Sequence, residues 1–171
     1  MNVRSWFMAH AALAALAWGA SASAQQATFD TRSLTPETAL EAARAALEAC
    51  RRSGFQVGVA VVDRAGLVQV FLRDRFAGPH TLDIATNKAW TAVSFRQATA
   101  DLATETQPGR PMNALRTQPR VVAIAGGQPI QAGGSLLGAI GVSGAPGGDA
   151  DDACALTGVR AVRDTLEMES R

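Results

Sequence analysis

The chain has few side chains from which chemistry could be built. Its 171 residues include two histidines, His10 and His80, a single lysine, Lys88, two cysteines, Cys50 and Cys154, and no tyrosine. A zinc centre needs three or four N, S or O ligands, and the cysteines lie too far apart for a CxxC motif. His80 could serve a Ser-His-Asp arrangement with Ser94, Ser135 or Ser143, yet none of these serines sits in a G-x-S-x-G turn. The stretch "GVSGAPGGDADD" lies between a strand and a helix as a phosphate loop would. It lacks the Lys-Ser/Thr pair, and Asp149, Asp151 and Asp152 occupy the helix start where an anion would sit. What remains is His80, in the loop of "RFAGPHTLDIATNKA", and Lys88, the one lysine in a chain whose other cations are arginines. Loops held by a sheet carry function disproportionately, so His80 is read as facing a ligand.

The elements that must position these residues begin after a leader. "MNVRSWFMAHAALAALAWGASASAQQ" has an early charge at Arg4, an apolar run, and small residues at Ala22 and Ala24, the pattern of a secretory signal peptide. The reading is a signal peptide over 1–24, a polar mobile leader over 25–33, and one domain over 34–168. The apolar run is shorter than the roughly 20 residues that span a bilayer, so no membrane span is expected and the mature protein is placed in the periplasm or outside the cell. Without Arg4 the basic residues equal the 15 acidic ones. A formally neutral chain lacks the electrostatic drive for nucleic-acid binding. In an oxidising compartment the two cysteines can pair.

Thr35-Pro36 opens a helix as N-cap and first-turn proline, with Leu40, Ala43, Leu47 and Cys50 on one face and Gly54 as its stop. "QVGVAVVD" and "LVQVFLR" around "DRAG" read as a hairpin. Thr81 caps a second helix carrying Ile84, Ala85, Ala89, Ala92 and Phe95, and "ADLATE" and "MNALRT" supply short helical pieces. "RVVAIAG", "QPIQAG" and "SLLGAIGVSG" read as a three-stranded meander, and a last helix from Asp149 buries Ala155, Val159, Val162 and Leu166. With no βαβ alternation, the fold class is α+β with one antiparallel sheet of five strands.

The motifs V-A-V-V-D-x-x-G, I-A-x-x-K-A and G-G-x-P-I-x-x-G-G-x-x-x-G-A-I-G-V-S-G, taken together, resemble the GlcG/HbpS family, related to the C-terminal domain of PduO-type proteins. The resemblance implies a profilin-like α+β fold: a five-stranded antiparallel sheet, the N- and C-terminal helices on one face, and additional helices between strands 2 and 3. It also implies homo-oligomers and binding of haem or a related tetrapyrrole, as a carrier, a haem-degrading protein or a redox-sensor accessory. Haem iron takes His, Cys, Met or Tyr. The cysteines and Met168 fall on helices, so His80 is the expected iron ligand, with Lys88, Phe76 and Trp90 completing the haem site and Phe95 as a further wall. In a profilin-like fold the first and last helices pack side by side, which would let Cys50 and Cys154 form a bridge, the alternative being two buried free thiols. The competing reading is an accessory protein that binds an organic acid without iron, its carboxylate held by Lys88 and an arginine such as Arg73 or Arg96.

Overall fold

A computed structural model describes residues 26–170 of the chain. The signal peptide expected over 1–24 therefore lies outside the described residues. Helix α1 (Pro36–Arg52) starts where Thr35 Oγ1 accepts the Thr38 N–H at 3.3 Å, and Arg51 and Arg52 fill its last turn. Strands β1 (Gly58–Asp63) and β2 (Val68–Arg73) form the expected hairpin. Its turn is held by Asp63 Oδ1, which accepts the N–H groups of Ala65 and Leu67 at 2.8 and 2.9 Å. Helices α2 (Thr81–Phe95) and α3 (Thr99–Glu105) and a 3-10 turn (Asn113–Thr117) follow. Strands β3 (Gly127–Ala132) and β4 (Ser135–Ser143) and helix α4 (Gly148–Met168) close the fold.

The four strands pair antiparallel in the order β2-β1-β4-β3. Successive side chains of a strand point to opposite faces, and here each face has its own core. Val59 and Val61 of β1 with Ile140 and Val142 of β4 pack against α1 and α4. Ala60 and Val62 with Leu136 and Ala139 pack against Ala85, Ala89, Ala92 and Val93 of α2. This explains why β1 reads as an uninterrupted apolar run: it is buried on both sides. The pairing of α1 with α4 on one face, and the placing of the extra helices between the second and third strands, agree with expectation.

The sheet has four strands among the described residues, not five. "RVVAIAG" has strand composition, but its backbone groups are taken elsewhere. The Val122 N–H donates to Thr91 Oγ1 at 3.0 Å, the Thr91 hydroxyl donates to the Arg120 carbonyl at 3.3 Å, and the Val121 N–H closes a turn on Gln118 O at 3.2 Å. Arg120 also has φ +73°, outside the extended region. Arg120–Val122 is tied to α2 and stays out of the ladder, the Gly126 carbonyl alone accepting the Val142 N–H of β4 at 2.8 Å, and the expected meander reduces to the β3–β4 hairpin. Gly133 and Gly134, at φ +54° and +74°, form its two-residue loop, the conformation two-residue hairpins prefer. A different need explains Gly141: a Cβ there would run into the Ala85 carbonyl of α2, so this residue lets the helix lie directly on β4. Ser33, read as part of the leader, is already tied to the sheet, with its hydroxyl donating to Leu137 O at 3.4 Å.

Candidate functional site

Strand β2 is joined to α2 by Asp74–His80, folded as two consecutive turns. The Ala77 N–H donates to Asp74 O and the Thr81 N–H to Gly78 O, each at 3.1 Å, and the Thr81 hydroxyl adds a 2.7 Å bond to the same Gly78 carbonyl. Their corner residues are Arg75 and Phe76 in the first turn and Pro79 and His80 in the second. Proline presets φ at such a corner. The loop is fixed at its root. The Asp74 N–H donates to Val57 O at 2.9 Å, Arg51 donates to Asp74 Oδ1 from Nε at 2.9 Å and Nη2 at 2.6 Å, and Arg73 Nη1 donates to Ala77 O at 2.7 Å. Asp74 itself is buried, and its Oδ2 has no hydrogen-bond partner among the described residues. The corners instead face solvent: Phe76 is 80% exposed, Leu82 in the first turn of α2 is 50% exposed, and His80 is exposed. The His80 ring lies against Gly78, where a Cβ would come within 2.7 Å of its Cε1. The imidazole of His80 and the ring of Phe76 thus stand at solvent-facing corners of a loop locked by hydrogen bonds, and an accessible imidazole is a side chain that haem iron takes as an axial ligand.

Lys88 is not part of this surface. It is 1% exposed, and its Nζ donates to Asp151 Oδ2 at 2.7 Å and to the Val142 carbonyl at 2.9 Å. Asp151 Oδ1 in turn accepts the Ala145 N–H at 2.9 Å, while the neighbouring Asp152 Oδ1 holds the Gly126 N–H and Gln128 Nε2 at 3.1 and 2.7 Å. Burial pushes the Asp151 carboxyl above its ordinary range, against the opposing pull of the Lys88 ammonium. The pair thus ties α2, β4 and α4 together and fastens the glycine-rich segments on either side. Lys88 was expected to face a ligand; its ammonium is already engaged inside the protein.

Trp90 is also elsewhere. It lies ten residues beyond His80 on the same helix, about 15 Å away at 1.5 Å per residue. The Arg120 guanidinium covers its ring at 4.6 Å from the centroid while Nε bonds Asn87 Oδ1 at 3.3 Å, and a Cβ on Gly66 would come within 2.9 Å of its Cδ1. Phe95, at the far end of α2, is partly buried. So of the residues singled out for the site, Phe76 and His80 stand exposed on the loop between β2 and α2, whereas Lys88 is buried and Trp90 and Phe95 lie further along α2. Cys50 and Cys154 are bridged, with their Cα atoms 5.6 Å apart, so neither offers a thiolate. Met168 is exposed at the end of α4. Sequence reasoning overlooked Asp151 as the partner of Lys88 and Asp74 as the anchor of the loop.

These features define a small two-cored α+β domain whose accessible chemistry is a histidine-bearing loop. The family model described as haem degrading protein HbpS-like matches residues 34–160, and the chain belongs to that family. A Streptomyces reticuli HbpS double mutant is 41% identical, with TM-score 0.74 over 79% of this chain and 90% of that one. The PduOC:heme complex is 31% identical, with TM-score 0.71 over 75% of this chain and 94% of that one. The corrinoid adenosyltransferase PduO of Salmonella typhimurium is 36% identical over 103 residues, 59% of this chain but 31% of that protein. The chain therefore corresponds to about a third of that enzyme. Haem binding is supported at the level of the family.

Proposed function

We propose that the chain is an exported haem-binding protein, a carrier, haem-degrading protein or redox-sensor accessory, in which His80 ligates the iron and Phe76 packs on the macrocycle. The observation that carries this reading is the two-turn loop, which holds an exposed imidazole and an exposed phenyl ring at corners of two consecutive turns on a fixed base. When bound, haem would supply a redox-active iron; the protein's part is to present the imidazole nitrogen and shelter one face of the ring. Lys88 and Trp90 are released from the site because each is engaged elsewhere. Engagement of Lys88 also removes one of the two cations that organic-acid binding without iron called on.

The bridged cysteines support an oxidising compartment, in keeping with the signal-peptide pattern of residues 1–24 and a periplasmic or secreted location. The packing of helices on both faces of an antiparallel sheet supports the profilin-like description. A homo-oligomer completes the reading: a formally neutral mature chain offers little repulsion to self-association, and an open haem face gains shelter from a neighbouring copy. Light scattering on the mature protein is expected to give a mass several times that of one chain, and a single-chain mass at micromolar concentration would refute the assembly. The function itself is tested by titrating the mature protein with hemin. A saturable Soret band is the expected result, and no spectral change, with heat of binding seen only for small carboxylic acids, would favour the iron-free alternative.

A further inference from the structure

The cations at the haem-facing loop are not equivalent. Arg51 is committed to the buried Asp74 carboxylate through two hydrogen bonds. Arg73 uses Nη1 to hold the Ala77 carbonyl at 2.7 Å, which fixes its guanidinium against the turn that bears Phe76, with Nε and Nη2 making no hydrogen bond to the described residues. Arg75 is a corner of that turn, exposed, and makes no hydrogen bond or ion pair among the described residues. The acidic group on the adjoining turn of α2 is Asp83, exposed and three residues beyond His80. Two guanidinium-bearing residues, Arg73 at the end of β2 and Arg75 at a corner of the loop, therefore precede the exposed Phe76 and His80 on the same short connection. Guanidinium is the side chain best matched to a carboxylate, which it can hold through two parallel N–H bonds.

We propose that Arg73 and Arg75 form the carboxylate-recognising half of the site, so that the loop selects a planar ligand carrying acidic side arms, as the propionate-bearing tetrapyrroles do. This rests on the haem reading and deepens it: His80 addresses the metal, Phe76 the ring, and the two arginines the acid groups. Selection then depends on charge at the edge of the ligand and not on the metal alone. Arg96, by contrast, caps the far end of α2 and takes no part.

The test compares hemin with hemin dimethyl ester, whose acid groups are blocked, in one mixed aqueous-organic buffer, using the wild-type protein, Arg75→Gln, and the double variant Arg73→Gln/Arg75→Gln. Wild type is expected to bind hemin at least about tenfold tighter than the ester, the scale of one charge-assisted pair. The double variant should bring the two within about twofold while leaving the Soret maximum where it was, because the iron ligand is untouched. Arg75→Gln removes no bond within the described protein and should narrow the ratio with no change in unfolding midpoint. Equal affinity of wild type for both ligands, or a preference that survives the double substitution, would overturn the carboxylate role alone. Failure of wild type to bind either ligand would overturn the haem reading and this one with it.

Discussion

Replacing Lys88 with methionine is expected to lower the folding stability by about 3 to 5 kcal/mol, the scale on which breaking a buried ion pair destabilises a protein. Among the described residues the ammonium is the only charged partner of the buried Asp151 carboxylate, at 2.7 Å, and it also satisfies the Val142 carbonyl. Methionine of similar length would fill the volume but leave an uncompensated carboxylate with the Ala145 N–H as its remaining partner. A typical domain has about 5 to 15 kcal/mol in all, so the variant should be near the limit of folding at 37 °C. The double variant Lys88→Met/Asp151→Leu, which removes both charges, should recover much of the loss, since apolar replacement of a whole buried pair is often nearly neutral. Urea unfolding of the three proteins checks this. A loss below about 1 kcal/mol in Lys88→Met would show that the pair contributes far less than its burial and geometry demand.

The second large effect concerns the Cys50–Cys154 bridge. It joins the end of α1 to the start of α4 across a sequence separation of 104 residues, and closing a loop of that size restricts the unfolded chain by up to about 4 to 5 kcal/mol. Both cysteines are buried in the core between the two helices, so the paired substitution Cys50→Ala/Cys154→Ala exchanges two small buried groups for slightly smaller ones and loses mainly the constraint. The denaturation midpoint of this variant should fall well below that of the oxidised wild type. Titration of the unfolded, unreduced exported protein should find no free thiol; two per chain would show that the bridge does not form in the cell.

Much of this fold was legible from local chemistry. The Thr35-Pro36 start of α1, its stop near Gly54 and the β1–β2 hairpin around the Asp63 turn all depend on residues close in sequence, and the structure places them where the sequence does. The missing fifth strand depends on Thr91, some thirty positions away, whose hydroxyl claims the backbone of the Arg120–Val122 segment; nothing in "RVVAIAG" announces that. The last helix begins at Gly148 and not at Asp149, and the aspartates of its first turn do more than complement the helix dipole. The Lys88–Asp151 pair did leave a signal. Lys88 falls on the same stripe of α2 as Ala85 and Ala92, and Asp151 on the stripe of α4 that runs through Ala155, Gly158, Val162 and Leu166. A lone cation and a lone anion on two buried stripes have good reason to meet, because neither can be left unpaired in a core. Trp90 shows the opposite difficulty: an aromatic residue on a helix does not reveal which loop covers it, and Arg120 does so here.

For the site, the loop position of His80 was readable and its neighbours were not. Which residues stand at turn corners depends on the hydrogen bonds to Asp74 O and Gly78 O, and these separate exposed Phe76 and His80 from buried Asp74 and Ala77.

The central claim, that His80 presents its imidazole to haem iron, is tested most directly by titrating hemin into the mature protein and into His80→Ala and recording the Soret region. His80 is exposed and its side chain caps no helix, so the substitution should leave the fold intact by circular dichroism. The wild type is predicted to develop a saturable Soret band that is displaced or lost in His80→Ala; the same band and the same affinity in both proteins would contradict the assignment.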